Sequence, residues 1–318
     1  MDGSGRPRGK ETESTPLQIT RSSSLLLLLV ILVAGLGAGA SAGAAPDQST
    51  PTAIDLGTLG GSNSSAVAVN GEGQVVGESQ TAGDAENHAF SWTKNGGMVD
   101  LGTLGGSYAV AVAMNDDGRV VGESSIAGDA EVHAFSWTQK GGMIDLGTLG
   151  GTNSTAFAVN DEGQVLGDSS TAADAATHAF LWTMKSGMID LGTLGGTASS
   201  ARGVNDEGQV IGESNVAGDT TSHAFSWTKQ DGIVDLGTLG GSWSFAQGLN
   251  DRGQAVGYSY TSGDAATHAF SWTHRGGMVD LGTLGGSQSF AVAVNDHGQV
   301  VGYSHTAGDA ESHATLWD

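Results

Sequence analysis

The feature that most restricts the fold is a repeat. The heptapeptide DLGTLGG begins at residues 55, 100, 145, 190, 235 and 280, always 45 residues after the previous copy. Residues 49–318 divide into six units of 45 residues without insertion or deletion. Periods of this size are typical of solenoids and propellers, in which each unit buries its apolar surface against its neighbours. We therefore predict that residues 47–318 form one repeat domain.

One unit contains four short strand patterns and no helical periodicity. In the unit read from residue 100 these patterns cover residues 111–114, 119–123, 133–138 and 143–147, the last of which overlaps the next DLGTLGG. The NDDG segment between the first two is a typical hairpin turn, and HAFSWT is rich in aromatic and strand-forming residues. Four strands in 45 residues match one blade of a β-propeller.

The two ends of the repeat region are offset by one strand. The last unit stops after its third strand pattern, HATLWD, whereas TAIDLG at residues 52–57 matches a fourth strand. We expect this N-terminal strand to complete the last blade, because closure of the ring removes exposed strand edges. The expected fold class is therefore all-β, a closed six-bladed β-propeller of four-stranded blades. A β-solenoid is the alternative.

The repeated phrases HAFSWT, GGMVDLGTLGG and AVAVNDxGQVVG resemble those of the bacterial extracellular HAF-repeat family, named for its His-Ala-Phe. The resemblance covers about residues 49–318, with small departures at HAFLW (residues 178–182) and HATLW (residues 313–317). It implies export and a propeller-like repeat fold. It implies no established activity.

Residues 1–46 have the composition of a secretory signal. Basic residues precede the apolar run LLLLLVILVAGLGAGA, and the small-residue segment SAGAAP follows it. We predict cleavage after Ala42 or Ala44, and a mature protein that is secreted or held at the cell surface, with the periplasm as an alternative. After cleavage no stable membrane span is expected. An uncleaved anchor is the other possibility.

Charge and cysteine content exclude several classes of function. The chain has 12 Lys and Arg against 34 Asp and Glu, a net charge of −22, and no cysteine. This charge argues against nucleic acid and anionic membranes as partners. Strand connectivity places the longer loops on one face, where an aspartate recurs in every unit, whereas nearly all basic residues lie in or beside the short turns of the other face. On this long-loop face we expect a glycan or a protein ligand.

One aspartate recurs in the loop before each HAF phrase, four residues ahead of its histidine. These candidate metal ligands are Asp84, Asp129, Asp174, Asp219, Asp264 and Asp309. We favour structural hydrogen bonds for the aspartates and histidines, because the sequence contains no EF-hand loop and no GGxGxD repeat. No cofactor is then expected. Calcium bound by loop carboxylates and carbonyls is the alternative.

The copies disagree most in units five and six. Aromatic residues or histidine replace mostly smaller or acidic residues at seven positions: Trp243, Phe245, Tyr258, Tyr260, Phe290, Tyr303 and His305. We predict a ligand-binding sector here, because such rings stack on sugars or grip peptides. The alternative is that they fill gaps between blades. The tryptophans that recur in HAFSWT are predicted to be core residues, and Trp243 is predicted to lie in a loop between units.

Catalytic motifs are missing from the repeat region: residues 47–318 contain no Gly-x-Ser-x-Gly, no HExxH and no P-loop. The expected function is a non-enzymatic binding or cell-surface interaction module, with glycan as the candidate ligand. One alternative is a carbohydrate-active hydrolase or lyase that uses acidic residues at the channel mouth. The other is a purely structural array that displays an acidic surface.

Overall fold

A computed structural model describes residues 52–318. Residues 1–51, and with them the predicted signal peptide, lie outside the described residues. The described chain is all-β, with 23 strands and four single turns of 3-10 helix at Ala82–Asp84, Ala172–Asp174, Ser262–Asp264 and Ala307–Asp309. In these residues no helix has the length and apolar character needed to span a membrane.

The strands follow the sequence repeat. The first strands of units one to six are β1 (Gly60–Val69), β5 (Gly105–Met114), β9 (Gly150–Val159), β13 (Gly195–Val204), β17 (Gly240–Leu249) and β21 (Gly285–Val294). The second strands are β2 (Val75–Thr81), β6 (Val120–Ile126), β10 (Val165–Thr171), β14 (Val210–Val216), β18 (Ala255–Thr261) and β22 (Val300–Thr306). The third strands are β3 (Asn87–Thr93), β7 (Val132–Thr138), β11 (Thr177–Thr183), β15 (Ser222–Thr228), β19 (Thr267–Thr273) and β23 (Ser312–Trp317). The fourth strands are β4 (Gly97–Gly102), β8 (Gly142–Asp145), β12 (Gly187–Asp190), β16 (Gly232–Gly237) and β20 (Gly277–Gly282).

Consecutive strands of a unit pair antiparallel, as the four-strand pattern predicts. The third strand of each of the first five units also makes one parallel contact with the first strand of the next unit, as in Asn87 with Tyr108. The first strands are longer than predicted. β5 begins at Gly105 instead of residue 111, because its Gly-Gly-Ser segment continues to pair with β6 across an irregular register.

The apolar core lies between consecutive units. Val76 and Ala89 of unit one, for example, pack with Ala111 and Phe135 of unit two. The third-strand phenylalanines of units two to five are fully buried, and Trp182, Trp227 and Trp272 are each only 7% exposed. This confirms the core prediction for these rings, whereas Trp92, Trp137 and Trp317 are only partly buried. Burial of one such ring contributes about 2 kcal/mol, so each junction between units is a small hydrophobic core.

One glycine of the second strand permits this close packing. A Cβ atom at Gly212 would lie 2.1 Å from the carbonyl oxygen of Ser200 and 2.8 Å from the ring of Phe225. A side chain at this position would therefore separate the second strand from the first strand and from the buried phenylalanine ring.

A ladder of asparagines also joins the units. Asn115 Nδ2 donates to the carbonyl of Asn160 at 3.0 Å, and Asn160 and Asn205 donate in the same way to Asn205 and Asn250. Each donor lies 45 residues before its acceptor. The ladder thus requires a constant unit length, which gives a physical reason for the undisturbed repeat.

The expected closure of the ring is wrong for this structure. Among the described residues, 52–58 form no strand, β1 pairs only with β2 and β23 pairs only with β22. Ala66 is exposed although the equivalent Ala111 is fully buried, and Val301 is 46% exposed although Val256 is fully buried. The first and last units therefore do not pack against each other as consecutive units do.

Candidate functional site

The histidine of each HAF phrase is held by an aspartate that sequence reasoning did not select. His88 Nδ1 lies 2.8 Å from Asp100 of the DLG phrase, and in units two to five the same distance is 2.8–2.9 Å. Burial lowers the pKa of His88, but hydrogen bonds to Asp100 and Glu86 outweigh it and raise the pKa above its ordinary value. The pair fixes the fourth strand to the third, so DLGTLGG and HAF act together in the architecture.

The six loop aspartates cap the first strand of their own units. Asp84 accepts the Ser62 N–H at 2.7 Å and the Ser62 hydroxyl at 3.0 Å. The other five accept an equivalent N–H at 2.7 Å: Asp129, Asp174, Asp219, Asp264 and Asp309. All six have a positive φ, between 52° and 56°. Within residues 52–318 no group of three or more His, Cys, Asp or Glu side chains is placed to hold a metal ion.

These hydrogen bonds lower the pKa of four of the loop carboxyls, those of Asp129, Asp174, Asp219 and Asp309. The bond from the Ser107 N–H, with that from the Ser125 hydroxyl, lowers the pKa of Asp129 below its ordinary value. Asp174 and Asp219 show the same direction for the same reason. The arrangement is that of a strand cap, and it uses oxygens that a calcium ion would need.

Five of the seven candidate ligand-binding residues form one continuous row of rings. Ring centroids are 6.2 Å apart for Trp243 and Phe245, 5.0 Å for Phe245 and Tyr258, 5.0 Å for Tyr258 and Phe290, and 4.8 Å for Phe290 and Tyr303. The Tyr258–Phe290 contact joins unit five to unit six, so the rings do fill space between units. We call these five residues the aromatic row.

Strand pairing explains the row. Phe245 on β17 lies opposite Tyr258 on β18, and Phe290 on β21 lies opposite Tyr303 on β22. Trp243 lies inside β17 and not in a loop, because the first strand begins earlier than predicted.

The other two candidates continue the same strand faces, since alternate residues of a strand share a face. Tyr260 follows Tyr258 by two residues, and His305 follows Tyr303 by two residues. His305 Nδ1 is buried, lies 3.5 Å from Asp309 and has no hydrogen-bond partner within the described residues.

Carboxylates occupy the register position of Tyr258 and Tyr303 in the first four units. They are Glu78, Glu123, Asp168 and Glu213, which we call the acidic row. Thr155 of unit three donates to Glu123 at 2.6 Å, and Ser200 of unit four donates to Asp168 at 2.7 Å. Sequence reasoning noted the change from acid to tyrosine but did not select these residues. The sequence feature that could have identified these four carboxylates is their common position in the repeat.

Arg202 lies where the two rows meet. Its guanidinium forms a salt bridge with Glu213 through Nε and Nη2, and the two side chains are 27% and 14% exposed. Burial raises the pKa of Glu213 even though Arg202 opposes the shift. Burial also raises the pKa of Asp168, to about 6. Arg202 is the one basic residue of the repeat domain that the sequence places away from the short turns.

A separate cavity of about 380 Å³ lies between the turns of units four and five. Its lining includes Arg252, Trp272, His274 and Arg275, together with Asp231. This agrees with the concentration of basic residues that the sequence places at the short turns. The aromatic row does not line this cavity.

Comparison with known proteins adds information about the fold. No protein-family model and no curated protein matches the sequence. The structure is similar to the β-propeller domain of the trilobed protease from Pyrococcus furiosus, with a TM-score of 0.48, 12% identity, and coverage of 80% of this chain and 83% of that chain. TolB from Acinetobacter baumannii matches with a TM-score of 0.40 and 10% identity, over 64% of this chain and 49% of that chain. A gluconolactonase from Xanthomonas campestris matches with a TM-score of 0.36 and 13% identity, over 82% of this chain and 89% of that chain. At these identities the likeness concerns the fold alone.

Proposed function

We propose that the chain is an exported, non-enzymatic binding module of six propeller-type blades, and that the aromatic row binds a glycan. The observation that carries this proposal is the continuous contact of five rings in the two units where the repeats diverge. Aromatic faces pack against the apolar faces of sugars, and the carboxylates and guanidinium beside them can bond sugar hydroxyls. The leader pattern of residues 1–46 and the resemblance to HAF repeats support export.

Two features at the unit-six end of the row favour a ligand there. The Tyr303 side chain is 42% exposed, so part of its ring is open to solvent. His305 Nδ1 lacks a hydrogen-bond partner among the described residues, and a buried polar atom without a partner is unfavourable.

A glycan array tests the proposal with matched variants. Wild type and Tyr108→Ala should bind the same glycans, because Tyr108 holds the Trp243 position in unit two and lies outside the row. Trp243→Ala and Tyr303→Ala should each weaken binding about tenfold, as expected when one stacking contact worth about 1.4 kcal/mol is lost. Absence of binding by the wild type would remove the glycan proposal and favour the structural acidic array.

A second candidate function is a carbohydrate-active hydrolase or lyase. The observation that favours it is the buried carboxyl of Asp168, whose pKa is raised to about 6 and thus suits a general acid. The loop aspartates suit that role less, because hydrogen bonds lower the pKa of several of them. Release of reducing ends from polysaccharides that Asp168→Asn abolishes would support the enzyme. Activity unchanged by this substitution would exclude Asp168 as its acid.

A further inference from the structure

The two outer faces of the array are exposed in the described residues, and they are apolar. We call the outer face of unit one the front face. Val69 on this face is 66% exposed, whereas the equivalent residue of unit two, Met114, is 5% exposed. We call the outer face of unit six the back face. Leu316 on this face is 57% exposed, whereas the equivalent residue of unit three, Leu181, is 4% exposed. In every interior junction, the back face of one unit covers the front face of the next.

Hydrogen bonds at the interior junctions show what the outer faces lack. The Ala134 N–H donates to Ser154 Oγ of the next unit at 2.8 Å, and three further junctions repeat this bond at 2.8–3.0 Å. Ser64 on the front face keeps the serine's other bond, to the Gly57 carbonyl at 2.7 Å, but receives no such N–H within residues 52–318. Ala314 on the back face holds the position of Ala134.

The asparagine ladder and the His–Asp pairs are also incomplete at the outer faces. In the described residues, the back face has the side chain that donates or pairs, and the front face has the group that would be its partner. Asn295 Nδ2 donates to Gln299 of its own turn, as Asn160 does to Gln164, but unlike Asn160 it donates to no carbonyl of a further unit among the described residues. His313 is 54% exposed, whereas the paired histidines are 13–22% exposed. Asp55 caps Gly57 just as Asp100 caps Gly102, but it bonds no histidine in the described chain.

From this complementarity we infer that the front face of one copy binds the back face of a second copy, head to tail. Residues 52–57 of one copy then supply the fourth strand beside β23 of the other. Ser64 accepts the Ala314 N–H and Asp55 pairs with His313, as at the interior junctions. Because the contact joins unlike faces, it can continue from copy to copy. Closure within one copy would use the same groups, but the structure holds the two faces apart.

Light scattering over about a hundredfold range of protein concentration tests the inference, since association of copies is governed by mass action. The wild-type mass should rise with concentration. Ala66→Glu and Val301→Glu each place a charge in one face, and each variant alone should remain a single copy. An equal mixture should stop at two copies, because each variant retains one intact face. Met184→Glu, at a turn position that is 69% exposed, is the control and should behave as wild type.

Several results would overturn the inference. A wild-type mass of one copy at every concentration would show that the faces do not associate, or that they close within one copy. Association of Val301→Glu alone would show that like faces meet. Association that neither variant weakens would place the contact elsewhere. Because the readout is mass, the outcome is independent of glycan binding.

Discussion

The carboxyl of Asp168 on β10 gives the sharpest test of how the acidic row is stabilised. It accepts the Ser200 hydroxyl at 2.7 Å and the Ala201 N–H at 3.2 Å, both from the next unit. Burial nevertheless raises its pKa from the ordinary value of 3.8 to about 6, so the hydrogen bonds do not compensate for the loss of water.

The sign of the effect on folding follows from this shift. Because the pKa is higher in the folded state, the folded chain holds the proton more tightly, and ionisation of Asp168 opposes folding. One pKa unit corresponds to about 1.4 kcal/mol, so a shift of about two units destabilises the protein by about 3 kcal/mol above pH 6. The effect is absent below about pH 4, where the carboxyl is protonated in both states.

Asp168→Asn removes the charge and keeps both hydrogen bonds, since its amide oxygen can accept the Ala201 N–H and its NH₂ can donate to the Ser200 hydroxyl. We expect the variant to be more stable than wild type by about 2–3 kcal/mol at pH 7 and nearly equal to it at pH 4. Denaturant unfolding of both proteins between these pH values measures the difference. Parallel stability curves across this range would refute the argument.

Glu213→Gln is the matched comparison, because it changes an acid of the same row that has a cationic partner. Burial also raises the pKa of Glu213, so its ionisation opposes folding by the same argument, but the ion pair with Arg202 reduces the shift. We therefore expect Glu213→Gln to gain less stability at pH 7 than Asp168→Asn. An equal or larger gain from Glu213→Gln would mean that net charge, and not the local partners of each carboxyl, sets the effect.

Three further predictions concern the architecture. Asn205→Ala should lower the free energy of unfolding by about 2 kcal/mol, and Asn295→Ala by less than about 0.5 kcal/mol, because only Asn205 bonds a following unit. Gly212→Ala should destabilise by about 3 kcal/mol through its clash with the first strand, whereas Gly203→Ala, whose Cβ would meet only a side chain at 3.7 Å, should change stability by less than about 0.5 kcal/mol. A calcium chelator should leave the thermal midpoint unchanged, because strand N–H groups bond the loop carboxylates. A lower midpoint that calcium restores would support the metal alternative.

Local features of the fold could be predicted from the sequence because they depend on neighbouring residues. The four strands of a unit follow from alternation and turn residues, and the recurring Phe and Trp follow from their apolar character. The beginning of the first strand could not be predicted, because the Gly-Gly-Ser segment of β5 has low strand propensity and pairs only through the register of β6. Trp243 was consequently expected in a loop.

Non-local pairings were harder to predict. His88 bonds Asp100, which lies 12 residues later on a neighbouring strand, and not Asp84, which lies four residues earlier. Ring closure depends on the sum of the rotations at all junctions, and no single residue determines that sum. An offset of one strand between the ends is compatible with closure, with a second copy, or with an open array.

The acidic and aromatic rows show how the repeat can change without loss of packing. Glu123 and Asp168 each accept a hydroxyl from the next unit, but the residue of unit five that holds the Thr155 and Ser200 position is Phe245, which has no hydroxyl to give to Glu213. Arg202 supplies the missing partner from within unit four. At this junction a ring replaces the hydroxyl, and a cation lies beside the last carboxylate. The ion pair thus marks the unit after which aromatic contacts replace polar ones, and the proposed glycan site begins there.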